Sequence, residues 1–127
     1  MEDKIRWKVT DPLGNVIILK EATFVEHIQG NHQDKDASNR AAVEEQAKFT
    51  LTSPRFIIKN HQEGRRKYLD LVDMPESEGF NIRTLTVIVD GDNEVVTWIP
   101  KRSINDSVKP EEGGILYDKR MAVKTSI

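Results

Sequence analysis

Two runs of β-branched and apolar residues, 84–89 and 95–99, flank the tetrapeptide Asp90-Gly91-Asp92-Asn93. Asp and Asn side chains bond nearby backbone and Gly accepts positive φ, so the tetrapeptide is a turn and the runs beside it are the arms of a hairpin. Strands joined this tightly pair antiparallel, because a parallel pair needs a crossover of a dozen or more residues. The same pattern holds upstream. Phe56-Ile57-Ile58-Lys59 and Lys67-Tyr68-Leu69-Asp70-Leu71-Val72 are further strand-like runs, and no helical run long enough to cross over separates any of the four. The expectation is one antiparallel sheet with strands at 56–60, 67–72, 84–90 and 94–99. Leu85, Val87 and Val89 alternate with Thr84, Thr86 and Ile88, which makes one sheet face core and the other partly polar.

The first half has a different texture. Ile5-Arg6-Trp7-Lys8-Val9 alternates apolar and polar, Asp11-Pro12-Leu13-Gly14-Asn15 is a turn, and Val16-Ile17-Ile18-Leu19 returns as a second strand. Residues 22–30 form a short helix with Phe24 and Ile28 on one stripe and Gly30-Asn31 as its stop. A second helix over 39–52 puts Val43, Ala47 and Leu51 on one face, with Ser38 or Asn39 as cap and Pro54 as terminator. The fold class is therefore α+β: two N-terminal helices packed on a four-stranded antiparallel sheet, preceded by an N-terminal hairpin. Periodicity fades after Arg102 and Pro110-Glu111-Glu112-Gly113-Gly114 reads as a linker, so the domain is expected over 1–102 with a C-terminal tail over 103–127.

Bulk properties narrow the setting. A chain of 127 residues, 37% hydrophobic and 31% charged, can bury one core and is too apolar to stay disordered. The longest apolar run is Val16-Ile17-Ile18-Leu19, far short of the roughly 18 residues of a membrane span. Met1-Glu2-Asp3-Lys4 carries no export signal, and the chain has no cysteine, which points to a reducing, cytoplasmic setting. A net charge of −2 gives no global sign of nucleic-acid binding. Locally, Arg55, Lys59, Arg65, Arg66 and Lys67 face only Glu63, a charge of +4 over 55–67. Such a strip can contact phosphates, with Lys59, Arg65 and Lys67 as substrate-binding candidates. It can equally be a solvated sheet edge whose cations discourage aggregation.

His27 and His32 lie five apart at the end of the first helix. An imidazole can give or take a proton near neutral pH, so two of them suit acid–base cleavage of RNA. One removes the 2′-hydroxyl proton and the other protonates the leaving 5′-oxygen. With His61 they could instead ligate a metal, but the spacing lacks the i, i+4 pattern of helical zinc pairs and no cysteine completes a site. Arg66 and Tyr68 stand at period two on one strand face, where an Arg fork and a Tyr hydroxyl can meet a phosphate. Thr97 is a hydroxyl between apolar neighbours; Trp98 faces the other way, into the core. No glycine-rich phosphate loop or nucleophile elbow is present.

The order of these pieces resembles the phage-type branch of the barnase–EndoU–colicin–RelE (BECR) nucleases: a strand ending in Ile18-Leu19-Lys20-Glu21, a helix with Glu26-His27-Ile28, then His32, Ser53-Pro54 before Phe56-Ile57, Arg66 and Tyr68, and a last strand with Val96-Thr97. The resemblance covers about residues 16–100. It implies two helices against a four-stranded antiparallel sheet, and RNA cleavage with no cofactor or metal. His27, His32, Arg66, Tyr68 and Thr97 are the site residues so implied, with Arg65 and Arg66 competing for one position. RNA is the implied substrate, and for a toxin the implied partner is an immunity or antitoxin protein. Two further readings stand beside this one: a catalytically inactive RNA- or protein-binding module of the same fold in a phage or mobile-element protein, and an immunity-type protein whose acidic loop 70–78 is the interface.

Overall fold

Asp11 closes the first turn. Its Oδ1 accepts the backbone N–H groups of Leu13 (2.9 Å) and Asn15 (2.8 Å), and Gly14 takes a φ of +89°. The turn joins β1 (Ile5–Thr10) to β2 (Val16–Lys20) in an antiparallel hairpin, as the two runs predict. Ile17 and Leu19 are fully buried while Val16 is exposed. The computed structural model describes residues 4–30, 40–60, 64–74, 82–101 and 115–120.

The first helix, α1, starts as an α-turn at Glu21–Thr23 and continues over Phe24–Gly30 as a π-helix. Phe24 and Ile28 are buried as expected. The wider winding has no residue signature, since two apolar residues four apart fit either helix. In the second helical segment a turn at 40–42 passes through Val43, whose φ of −105° and ψ of 25° leave the helical region, into α2 (Glu44–Thr52). The continuous helix expected over 39–52 is thus interrupted. Its predicted stripe nevertheless holds, with Val43, Ala47 and Leu51 all fully buried. The Ser53 N–H donates to the Phe49 carbonyl at 2.8 Å before Pro54 stops the helix. The cap candidates Ser38 and Asn39 lie outside the described residues.

Strands β3 (Phe56–Lys59), β4 (Arg66–Asp73), β5 (Ile82–Val89) and β6 (Val95–Lys101) pair antiparallel as expected. The sheet has a fifth strand, however. β7 (Ile115–Asp118) lies within the segment read as a tail and pairs antiparallel with β3, giving the order β6-β5-β4-β3-β7. An apolar stretch this short has no alternation to mark it; it becomes a strand because β3 offers it a free row of backbone groups. Ile57, Tyr68, Leu85, Val87 and Trp98 form the sheet's side of the core, under α1, α2 and the hairpin. On the other face Thr84 and Thr86 are buried as well, at 3% and 0% exposure.

The hairpin docks against the β5–β6 turn. The Ile18 N–H donates to the Asn93 carbonyl at 3.0 Å, and Lys20 pairs with Glu94 at 2.7 Å. Arg6 reaches Glu21 at 2.9 Å and also bonds Glu44, which accepts the Trp7 indole N–H at 2.8 Å. Trp7 and Phe24 pack on Trp98 with ring centroids 6.3 and 6.1 Å away. No helix among the described residues is long and apolar enough to cross a membrane.

Candidate functional site

The chemistry-bearing residues fall into two separate groups, and register decides which residue joins which. Thr97 pairs with Ile88, which pairs with Lys67; Trp98 pairs with Val87, which pairs with Tyr68. Directly opposed residues share a face and neighbours along a strand alternate. Thr97 and Tyr68 therefore stand on opposite faces of the sheet.

Arg66 and Tyr68 belong to a buried polar cluster that fastens the hairpin turn to the sheet. The fully buried Tyr68 hydroxyl donates to Asp11 Oδ2 and accepts from Arg66 Nε at 3.1 Å. Arg66 Nη2 donates to Asn93 Oδ1 at 2.6 Å, and Asn15 Nδ2 donates to Asp11 Oδ2 at 3.0 Å. Burial pushes the Asp11 carboxyl up, but the donors from Tyr68, Asn15 and Leu13 together outweigh it and hold the group below its usual range. Burial, and then the bond to Asp11, push the Tyr68 hydroxyl well above the ordinary tyrosine value, with Arg66 opposing. The bonds of Arg66 and Tyr68 to one another, Asp11 and Asn93 link the β1–β2 turn, β4 and the β5–β6 turn.

The second group lines a groove. His27 from α1, Arg40 from the turn at 40–42, and Val96, Thr97 and Ile99 from β6 enclose a cavity of about 310 Å³. β6 is the end strand of the sheet, and Val96 is the extra residue of a bulge between the pairs Ile88–Thr97 and Val89–Val95. His27 is exposed, Thr97 half-buried, and none of the described residues lining the groove is a carboxylate. Arg40 is held by its main chain: its carbonyl accepts the Trp98 indole N–H at 2.8 Å. Its Nε is buried with no hydrogen-bond partner among the described residues. A proton-transfer group, a cation and a hydroxyl thus share one concavity.

Sequence reasoning named His27 and Thr97 but missed Arg40, which reads as one helix former in a string of them. Its one cue is placement, since a cation in a first helical turn gains nothing from the helix dipole. Of the basic strip, Lys59 and Arg55 are exposed and Arg65 is half-buried, whereas Lys67 is only 5% exposed and no part of a solvated strip. His32 and His61 lie outside the described residues. Comparison of the chain with family models, with curated proteins and with solved structures finds no match.

Proposed function

We propose that the chain is a ribonuclease whose active groove is lined by His27, Arg40 and Thr97, and that it acts by 2′-hydroxyl attack without a metal. The observation that carries this is the meeting of His27 and Thr97, the helix and last-strand residues of the BECR resemblance, in one groove. In the reaction the 2′-oxygen bonds to phosphorus as a base takes its proton. The bond to the 5′-oxygen breaks as an acid protonates it, leaving a 2′,3′-cyclic phosphate and a 5′-hydroxyl. His27 serves as one of the two proton-transfer groups and His32, five residues on, is the candidate for the other. Thr97 orients the phosphate by donating to a non-bridging oxygen. A cytoplasmic toxin with an immunity or antitoxin partner is the biological form of this reading.

The alternative is a catalytically inactive RNA- or protein-binding module of the same fold. It is favoured by one observation: Arg66 and Tyr68, implied as catalytic, are bonded to Asp11 and Asn93 instead. Incubating wild type and His27→Ala with labelled RNA in the presence of a chelator separates the two. Cleavage lowered about 10²–10⁴-fold by His27→Ala supports the enzyme, since one acid–base group contributes that much. No cleavage by the wild type supports the binding module, and equal cleavage by both removes His27 from the reaction.

A further inference from the structure

We infer that Arg40 is the anion-binding residue of the groove and that its ligand is a phosphoryl group; this rests on the ribonuclease reading and adds the residue that holds the phosphate. A guanidinium carries five N–H donors and no acceptor, so it needs acceptors from elsewhere. Three other arginines have them: Arg6 bonds Glu21 and Glu44, Arg66 bonds Tyr68 and Asn93, and Arg120 bonds Asp118. Arg40 is different. Its Nε is buried and has no hydrogen-bond partner among the described residues, and none of the described residues lining its groove is a carboxylate. Native proteins leave few buried donors unbonded, and a ligand that brings an acceptor removes the penalty.

The surroundings select the ligand's chemistry. Arg40's main chain is pinned twice, its carbonyl accepting from the Trp98 indole at 2.8 Å and from the Val43 N–H at 3.2 Å. Trp98 is fully buried and packs against Trp7 and Phe24, so the Arg40 main chain rests on a rigid base. His27 and Thr97 add donors from the other walls of the groove. A tetrahedral anion with several oxygens can engage a guanidinium fork, an imidazole and a hydroxyl together, whereas a cation would be repelled by the guanidinium. Inorganic phosphate and the phosphodiester of RNA share this chemistry.

The test uses the isotope-labelled full chain and two probes, inorganic phosphate and a 2′-O-methyl RNA oligonucleotide that cannot undergo 2′-hydroxyl attack. Both are expected to shift the amide signals of residues 40–42 and 96–99. Arg40→Gln should weaken binding about tenfold or more, since it removes a charge-assisted bond, and Arg40→Lys should retain part of it. Both variants keep the carbonyl that Trp98 bonds, so spectra away from the groove should remain native. Signals shifting elsewhere, or Arg40→Gln binding both probes like wild type, would overturn the assignment. Phosphate bound through Arg40 with no oligonucleotide binding keeps the anion site and removes the RNA reading. RNA cut equally by wild type and Arg40→Gln keeps the RNA reading and removes Arg40.

Discussion

At the scale of single residues, Arg66 does not take the role that its spacing from Tyr68 suggests. Arg66 and Tyr68 read as a phosphate clamp because they share a strand face, yet that face is the core face. A buried Tyr hydroxyl and a buried carboxylate must each find partners, and they find one another. Tyr68→Phe should cost about 1–3 kcal/mol, because Asp11 Oδ2 and Arg66 Nε lose a partner in a dry site. The pH dependence has a sign at each end. Asp11 and Glu44 titrate lower in the fold than their usual 3.8 and 4.5; for Glu44 the bond from Arg6 is the main cause. Below those values the unfolded chain takes up protons before the folded one, so the stability these groups contribute falls with pH there. Tyr68 is raised above 10.0, so its contribution is complete below that pH and declines as pH climbs above it. Thermal melts across pH should show both limbs, and Tyr68→Phe should flatten the alkaline one. An alkaline limb of unchanged depth in the variant would show that Tyr68 does not carry it.

At the scale of elements, periodicity predicted contacts better than it predicted regularity. The stripes Phe24–Ile28 and Val43–Ala47–Leu51 are buried although α1 winds as a π-helix and Val43 breaks the second segment. Burial of an apolar stripe is worth several kcal/mol, and local winding yields to it. Leu51→Ala should therefore destabilise by about 2–5 kcal/mol, the range for emptying a leucine-sized space in a core. Phe49→Ala on the same helix should change little, because Phe49 is 60% exposed. Denaturant unfolding of the two variants checks this: equal losses would mean that the stripe is not what anchors α2.

At the scale of the whole molecule, β7 decides how the sheet ends. Without Ile115–Asp118 the outer backbone row of β3 has no strand beside it. A chain ending before Ile115 should melt at a lower temperature and associate as its concentration rises, because an open edge pairs with other copies. Melting curves and sedimentation at several concentrations measure both effects. Unchanged melting with a monomer throughout would make β7 dispensable.

The strands, their antiparallel pairing, the two turns and the apolar stripes were legible in the residues, since each follows from chemistry within a few positions: a Gly at positive φ, an Asp over its own turn, a period of two or of about four. Three features required the tertiary structure. β7 exists because β3 is there to receive it. Thr97 and Tyr68 stand on opposite sheet faces because register across three strands sets the face. Arg66 is consumed because Asp11, 55 positions or more from Arg66 and Tyr68, meets the Tyr68 that Arg66 also bonds, while Arg40, whose Nε has no partner among the described residues, is held at the groove by a Trp98 far from it in sequence. Local propensity is written along the chain; which polar group finds a partner is settled only when distant segments pack.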